Sequence, residues 1–253
     1  MTPYGDDRDK HEQVQEMFDS IAPAYDFMNT AMTFGLHRRW RDRALDMADE
    51  ALRRNGMKAL AEVLDVATGT GDVAFELAHR YPKAHITGID LSTGMLNVAR
   101  HKLAERQDKN RIDFETGDCL DLRWQANTFD LITVAYGVRN FERLEQGYSE
   151  MARVLRPGGV LCVVELSQPE NKLCLAGYNL YSHHLIPLVG RIVSGDSRAY
   201  TYLPESIAAA PQRNDMTALM ERAGLRQTVW KSLTFGAVTI YTATKPLSSN
   251  TLR

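Results

Sequence analysis

The stretch VLDVATGTGD, residues 63–72, joins an apolar run to two closely spaced glycines, with an acid at either end. A strand that runs into a glycine turn and then a helix lets the backbone pass close to a ligand. The helix then aims its free N–H groups at whatever is bound. Gly69 and Gly71 supply that turn, and residues 69–74 also fit the loose glycine pattern of dinucleotide enzymes, with Ala74 in the third glycine's place. Asp65 before the turn and Asp72 at the helix start are poor company for a diphosphate; they suit a ligand carrying an ammonium and a sulfonium. Asp90 closes the next apolar run, where a carboxylate accepts hydrogen bonds from the ribose of whichever nucleoside is bound. Asp118-Cys119 closes a third run. An acid there suits an adenine amino group or, as the plainer alternative, caps a turn.

These groups need a frame. Residues 8–56 read as helical, with apolar residues at three- and four-residue spacing in KHEQVQEMFDSIA and HRRWRDRALDMADEALRRN and Gly56 as the stop. PAYDFMNTAMTFG between them has no clean period. The N-terminus is therefore expected to be a helical cap. From residue 61 to 167 strand and helix alternate. AEVLDVAT, AHITGIDLS, RIDFETGD, TFDLITVAYG and GVLCVVELS read as strands. DVAFELAHRY, GMLNVARHKLAERQD (N-capped by Ser92 or Thr93) and LEQGYSEMARVLRPGG read as helices, the last ended by Pro157-Gly158-Gly159. The alternation predicts an α/β fold, a doubly wound Rossmann-like parallel sheet with strands buried on both faces. Residues 168–212 read as a helical insert. Residues 213–245 read as a final helix and an antiparallel hairpin around Phe235-Gly236. Five parallel strands finished by a hairpin differ from the six-parallel dinucleotide fold. The whole chain, 1–253, reads as one domain.

Composition narrows the class. The 253 residues are 44% apolar and 25% charged, with a net charge of −2 that gives no global attraction to nucleic acid or anionic lipid. The opening dozen residues lack the pattern of a signal peptide. Cys119, Cys162 and Cys174 form no C-x-x-C pair, and no cluster at metal-ligand spacing is present, so a reducing, cytoplasmic setting without a bound metal is expected. The longest apolar stretch, 173–193, is long enough to span a bilayer, but Asn179, His183, His184, Pro187 and Arg191 interrupt it. A buried or interfacial helix pair is expected instead.

Asp65, Gly69-Thr70-Gly71, Asp90 and Asp118, with LRPGG at 155–159, resemble the motifs of class I S-adenosylmethionine-dependent methyltransferases. The segment YDFMNTAMTFGLHRRW, residues 25–40, resembles the first signature of the menaquinone and ubiquinone biosynthesis C-methyltransferases. RVLRPGGVLCVVELS (153–167) resembles their second, and GVRN (137–140) and DSRAYTYLPESI (196–207) are similar too. The resemblance runs over about residues 14–245. Thr33 stands where serine is common and Arg156 where lysine is common. Ala135 stands where some relatives carry a serine near the cofactor.

The resemblance implies S-adenosylmethionine as cofactor, held at Asp65, Gly69, Thr70, Gly71, Asp90, Asp118, Cys119 and Ala135. It implies methylation of a ring carbon of a polyprenylated quinol, demethylmenaquinol first and the benzoquinol precursor of ubiquinone second. Such a carbon is nucleophilic only when a neighbouring hydroxyl is losing its proton. Arg139 would stabilise the oxyanion, or else form a surface ion pair with Glu142. Asn140, Tyr25 and Asn29 would position the ring or a bridging water. His37, His183 and His184 are candidate bases, the alternative for each being a structural histidine. The insert would wall a groove for the prenyl tail and dip into the membrane surface at its inner face, the alternative being a plain helical cap. Two rivals remain: an NAD-dependent oxidoreductase, which requires a sixth parallel strand, and a non-catalytic binding module, which has no need of Arg139-Asn140.

Overall fold

The computed structural model describes residues 2–181 and 197–247, with 197–201 described by their backbone. Seven strands form one sheet: β1 (Glu62–Val66), β2 (His85–Asp90), β3 (Ile112–Thr116), β4 (Phe129–Ala135), β5 (Leu155–Leu166), β6 (Arg226–Leu233) and β7 (Val238–Thr244). The spatial order is β3-β2-β1-β4-β5-β7-β6. β1 to β5 run parallel, while β7 lies antiparallel between β5 and β6. The oxidoreductase's sixth parallel strand is therefore replaced by an antiparallel pair.

Alternation along each strand sends side chains to opposite faces. Val63, Ile86, Leu131, Val160 and Ile240 face one side, beneath α3 (Leu36–Arg54), α4 (Asp72–Arg80) and α5 (Thr93–Ala104). Leu64, Ile89, Ile132, Leu161 and Tyr241 face the other, beneath α6 (Leu144–Val154) and α9 (Asn214–Arg222). The sheet is thus wound on both faces. The central strands are buried as expected, but β3 and β6 lie at the edges and keep exposed residues such as Asp113 and Arg226.

Local chemistry sets the element ends. Met95 N–H donates to Ser92 Oγ at 3.0 Å and caps α5. α3 stops at Arg54, and Gly56 follows with φ +77°. α6 ends earlier than its proline-glycine run suggests. Leu155 is already paired with Phe129, and Gly158 and Gly159 exchange backbone hydrogen bonds with Lys245, so this stretch belongs to the sheet.

The N-terminal segment forms α1 (Lys10–Ile21) and α2 (Tyr25–Thr33), the latter in the stretch without a clean period. Met17, Ile21, Met28, Met95 and Tyr202 share a small core there. Two carboxylates fasten this cap to the sheet's ligand edge. Asp19 accepts from Ser92 Oγ at 2.6 Å and from Gly94 N–H at 2.8 Å. Asp26 accepts from Thr70 Oγ1 at 2.6 Å and pairs with Lys102 at 2.6 Å. After β5 come α7 (Lys172–Leu180) and α8 (Ser197–Ala209). His183, His184 and the remainder of the long apolar stretch lie outside the described residues. Among those described, no helix is long and apolar enough to cross a membrane.

Candidate active site

β1 and β4 both leave the sheet through strained residues. Ala67 (φ +53°) and Tyr136 (φ +57°) adopt left-handed conformations that side chains other than glycine seldom take. The two turns come so close that a Cβ on Gly137 would sit 2.7 Å from the Ala67 Cβ. Such strain persists where the surroundings enforce it and is concentrated at functional sites. Here it borders a cleft of about 800 Å³.

Asp90 lies in the wall of this cleft. Its Oδ2 accepts from Gly69 N–H at 2.8 Å and its Oδ1 from Ser92 N–H at 2.9 Å, while burial pushes its carboxyl above the usual range. Each carboxylate oxygen can accept further bonds, so a diol fits the same group. Asp118 also lines the cleft, its Oδ1 accepting from Leu120 N–H at 2.8 Å and its Oδ2 lying 3.7 Å from His11 Nδ1. It caps a turn and faces the cleft at once. Gly69, Cys119 and Ala135 complete the expected wall, and burial pushes the Cys119 thiol up. No lysine or arginine lines the cleft. A diphosphate would meet three carboxylates, Asp90, Asp118 and Glu142, and neither lysine nor arginine, whereas a nucleoside bearing ammonium and sulfonium groups fits.

The other expected cofactor residues sit behind that wall. Asp65 is 1% exposed and accepts hydroxyl protons from Thr68 and Thr133, each at 2.6 Å; burial pushes its carboxyl up to about 7. Thr70 spends its hydroxyl on Asp26. Gly71 has φ +83°, and a Cβ there would lie 2.7 Å from Phe114 Cζ, so its role is to let the turn pack. Asp72 accepts from Lys102 at 2.8 Å and from Arg41 at 3.2 Å. The carboxylates that face the cleft are therefore Asp90, Asp118 and Glu142, in place of the expected Asp65 and Asp72.

A second cavity, of about 1510 Å³, shares Phe18, Tyr25, Tyr136 and Asn140 with the first. Met28, Met32, Leu36, Trp40 and Ile207 make it largely apolar. At its wall is a buried ion pair: Arg139 Nη1 lies 2.7 Å from Glu165 Oε1, with side chains 8% and 3% exposed. Glu165 also accepts from Arg139 N–H at 3.2 Å and Leu166 N–H at 2.8 Å. Arg139 thus pairs inward with Glu165, not outward with Glu142. Among the described residues, six buried side-chain polar atoms have no hydrogen-bond partner. Four of them (Arg139 Nε, Asn140 Oδ1, Tyr136 Oη and Tyr202 Oη) belong to residues lining this cavity. Buried polar groups are rarely left unpaired, so the cluster marks where a ligand's polar atoms belong.

Tyr25, Asn29 and His37 line the same cavity. Desolvation pushes the Tyr25 hydroxyl's pKa up while nearby Arg139 pulls it back. Thr33 Oγ1 donates to Asn29 O at 2.6 Å and lies 2.7 Å from His37 Nδ1. With its proton so committed, Thr33 accepts from Nδ1–H, which leaves the His37 Nε2 lone pair free. Burial and the nearby Arg41 and Arg38 lower the pKa of His37 and keep the ring neutral. Tyr136, Glu165 and Tyr202 were not anticipated. Only Glu165 left a sequence signal, as the one charge in the apolar run GVLCVVELS.

A model of the ubiE/COQ5 methyltransferase family matches residues 6–245. The demethylmenaquinone methyltransferase of Porphyromonas gingivalis is 43% identical over 246 residues, covering 97% of this chain and 98% of that protein. The ubiquinone/menaquinone biosynthesis C-methyltransferase UbiE of Geobacter sulfurreducens is 40% identical, over 94% and 91%. Among solved structures, the [4+2]-cyclase SpnF superposes with a TM-score of 0.66 at 19% identity over 94% of this chain and 97% of its own, a likeness of fold.

Proposed function

Because this chain belongs to the ubiE/COQ5 methyltransferase family, we propose that it is an S-adenosylmethionine-dependent C-methyltransferase acting on a ring carbon of a polyprenylated quinol, demethylmenaquinol in the first place. The observation that carries this reading is the pair of cavities. A cleft with three carboxylates and, among the described residues, neither lysine nor arginine opens into an apolar chamber across Phe18, Tyr25, Tyr136 and Asn140. The relative in Porphyromonas gingivalis is named for demethylmenaquinone alone, which favours the naphthoquinol. The name UbiE, shared between two pathways in Geobacter sulfurreducens, keeps the benzoquinol precursor of ubiquinone as the second acceptor.

S-adenosylmethionine, bound in the first cleft, supplies a methyl group already activated by sulfonium. Asp90 and Gly69 would hold its nucleoside, with Asp118, Cys119 and Ala135 around the base. Asp65, Thr70 and Gly71 would keep the loop in shape from behind. In the chamber, Arg139, immobilised by Glu165, stabilises the quinol oxygen as it loses its proton. Tyr202 and Asn140 offer polar atoms to the same oxygen or to a water beside it. Tyr25 and Asn29 orient the ring across the shared wall, and the free Nε2 of His37 is the described group best prepared to accept a proton. The cap (8–56) and the described parts of the insert (168–212) would wall the chamber, with residues 61–167 and 213–245 beneath it. The acceptor's tail places the enzyme's work at a membrane face.

Calorimetric titration with S-adenosylhomocysteine beside NAD tests the cofactor. Binding of the first alone is expected, and binding of NAD alone overturns the reading. Arg139→Ala should then lose turnover of demethylmenaquinol while keeping cofactor affinity. Unchanged turnover would leave a binding module and remove Arg139 from the chemistry.

A further inference from the structure

Seven large apolar side chains stand exposed among the described residues, and five of them lie on elements that also line the second cavity. Phe27 (63% exposed) and Phe34 (80%) belong to α2 and its end, Leu173 (83%) and Leu180 (67%) to α7, and Phe235 (84%) to the turn between β6 and β7. The same three elements turn other residues into the cavity: Met28 and Met32 from α2, Tyr178 and Tyr181 beside Leu180, and Thr234 beside Phe235. Cross-contacts tie these elements to one another and to α3. The Tyr181 hydroxyl donates to Met32 O, and Trp40 Nε1 donates to Thr234 Oγ1 at 2.8 Å.

On α7 the exposed residues Leu173, Ala176, Gly177 and Leu180 fall at three- and four-residue spacing, so one face is apolar and exposed, with no partner among the described residues. The two most exposed phenylalanines also occupy strained backbone. Phe34 has φ +51° and Phe235 φ +56°, in the left-handed region where a turn takes glycine or asparagine without penalty. In the isolated chain these rings gain almost no burial in return for that strain.

Charge complements the apolar rim. Arg38 and Arg39, in the first turn of α3 just after Phe34, and Lys172, just before Leu173, are exposed. Of the carboxylates near them in sequence, Asp26 pairs with Lys102 and Glu170 with Arg213, while Asp42 stands exposed one turn after Arg38, so the three basic residues outnumber it. The net charge of −2 is therefore no guide to this face. We propose that the rim of Phe27, Phe34, Leu173, Leu180 and Phe235, edged by Arg38, Arg39 and Lys172, is a docking surface for an anionic lipid bilayer that sets the chamber's mouth against the acyl chains. It rests on the reading of the chamber as a site for a prenylated acceptor. Aromatic and leucine side chains enter the headgroup boundary while the basic residues meet lipid phosphates. The apolar tail then slides from lipid into protein without crossing water.

The test is flotation of the full chain with vesicles of phosphatidylcholine alone, or mixed with phosphatidylglycerol. Binding is expected to the mixed vesicles, and absence of binding overturns the proposal. Phe27→Ser/Phe235→Ser should weaken partitioning by roughly tenfold per ring. Arg38→Gln/Arg39→Gln should weaken it by roughly fivefold per charge at low salt. Unchanged partitioning in both variants overturns the surface. So does a concentration-dependent dimer that Phe27→Ser/Phe235→Ser dissolves, since the rim would then be covered by a second copy. Turnover of a tail-less quinol in water should survive Phe27→Ser/Phe235→Ser, while turnover of acceptor delivered in vesicles falls in step with binding. Bilayer binding without turnover of either acceptor would sink the methyltransferase reading and leave the surface standing.

Discussion

Replacing Glu165 with glutamine should separate the structural role of the buried ion pair from its chemical one. The carboxylate lies 2.7 Å from Arg139 Nη1, and its two oxygens also accept the backbone N–H groups of Leu166 and Arg139. An amide matches the volume but removes the charge and turns a donor toward one of those N–H groups. Breaking a buried pair from one side costs about 3–5 kcal/mol. For a chain of this size each kcal/mol moves the midpoint by about 2–4 °C, so Tm should fall by roughly 6–20 °C. Arg139→Met leaves a carboxylate that can take up a proton, and its penalty should be smaller. Arg139→Met/Glu165→Gln buries no charge at all, so its loss should undercut the sum of the single losses by about 1–3 kcal/mol. Glu165 is absent from the wall of the first cleft, so S-adenosylhomocysteine affinity should hold in all three while turnover falls. Scanning calorimetry, cofactor titration and a methyl-transfer assay give the three readings. Additive stability losses, or wild-type turnover in Glu165→Gln, would refute the account of a cation held in place by its partner.

Other consequences are as direct. The Asp65 carboxyl is pushed up to about 7 by burial, from an ordinary value of 3.8. The stability this group contributes is full below about pH 4 and is lost as pH rises through 7; Asp65→Asn should flatten that fall and exceed the wild type at pH 8 by up to a few kcal/mol. Urea melts at pH 5 and 8 check it, and a wild type that gains stability over that range together with Asp65→Asn contradicts it. Tyr202→Phe removes a hydroxyl that lines the chamber without a partner, so kcat should drop by roughly ten- to a hundredfold, with the basic shift in the kcat–pH profile expected when an oxyanion loses a donor. An equal loss of affinity for every acceptor with kcat intact would make it a packing residue. Gly71→Ala adds a clash with Phe114 to backbone strain and should cost about 2–4 kcal/mol together with cofactor binding. Gly56→Ala, strained but in open space, should cost only about 1 kcal/mol, and equal losses in the two variants would discount the clash.

Most of the sheet was legible because its strands repeat a two-residue alternation between turns that stop it. β1, β2, β4 and the β6–β7 hairpin fall where their apolar runs lie. α6 ends before its proline-glycine run because burial of Leu155 draws the chain into the sheet earlier than a helix-stop signal predicts. α2 gave no clean period because both of its sides carry apolar residues, one toward the chamber and one toward solvent. At the site, Asp90, Asp118 and Arg139 were readable as chemistry ending a strand. Glu165 stood out in its strand without suggesting Arg139 as partner, since the two are separated by a whole helix and strand. Asp19, Asp26 and Tyr202 act across distances that no local pattern encodes.

The last of the described strands is inserted inside the sheet, one place from its edge. β7, residues 238–244, enters between β5 and β6, and until it does the open side of β5 presents Val160 to Leu166 with its ladder unpaired. A growing polypeptide halted anywhere before residue 238 therefore carries a long apolar strand with no neighbour, the template on which foreign strands add. Truncation near residue 237 should thus turn a well-behaved enzyme into an aggregating one, even though every residue of the cofactor cleft has been made.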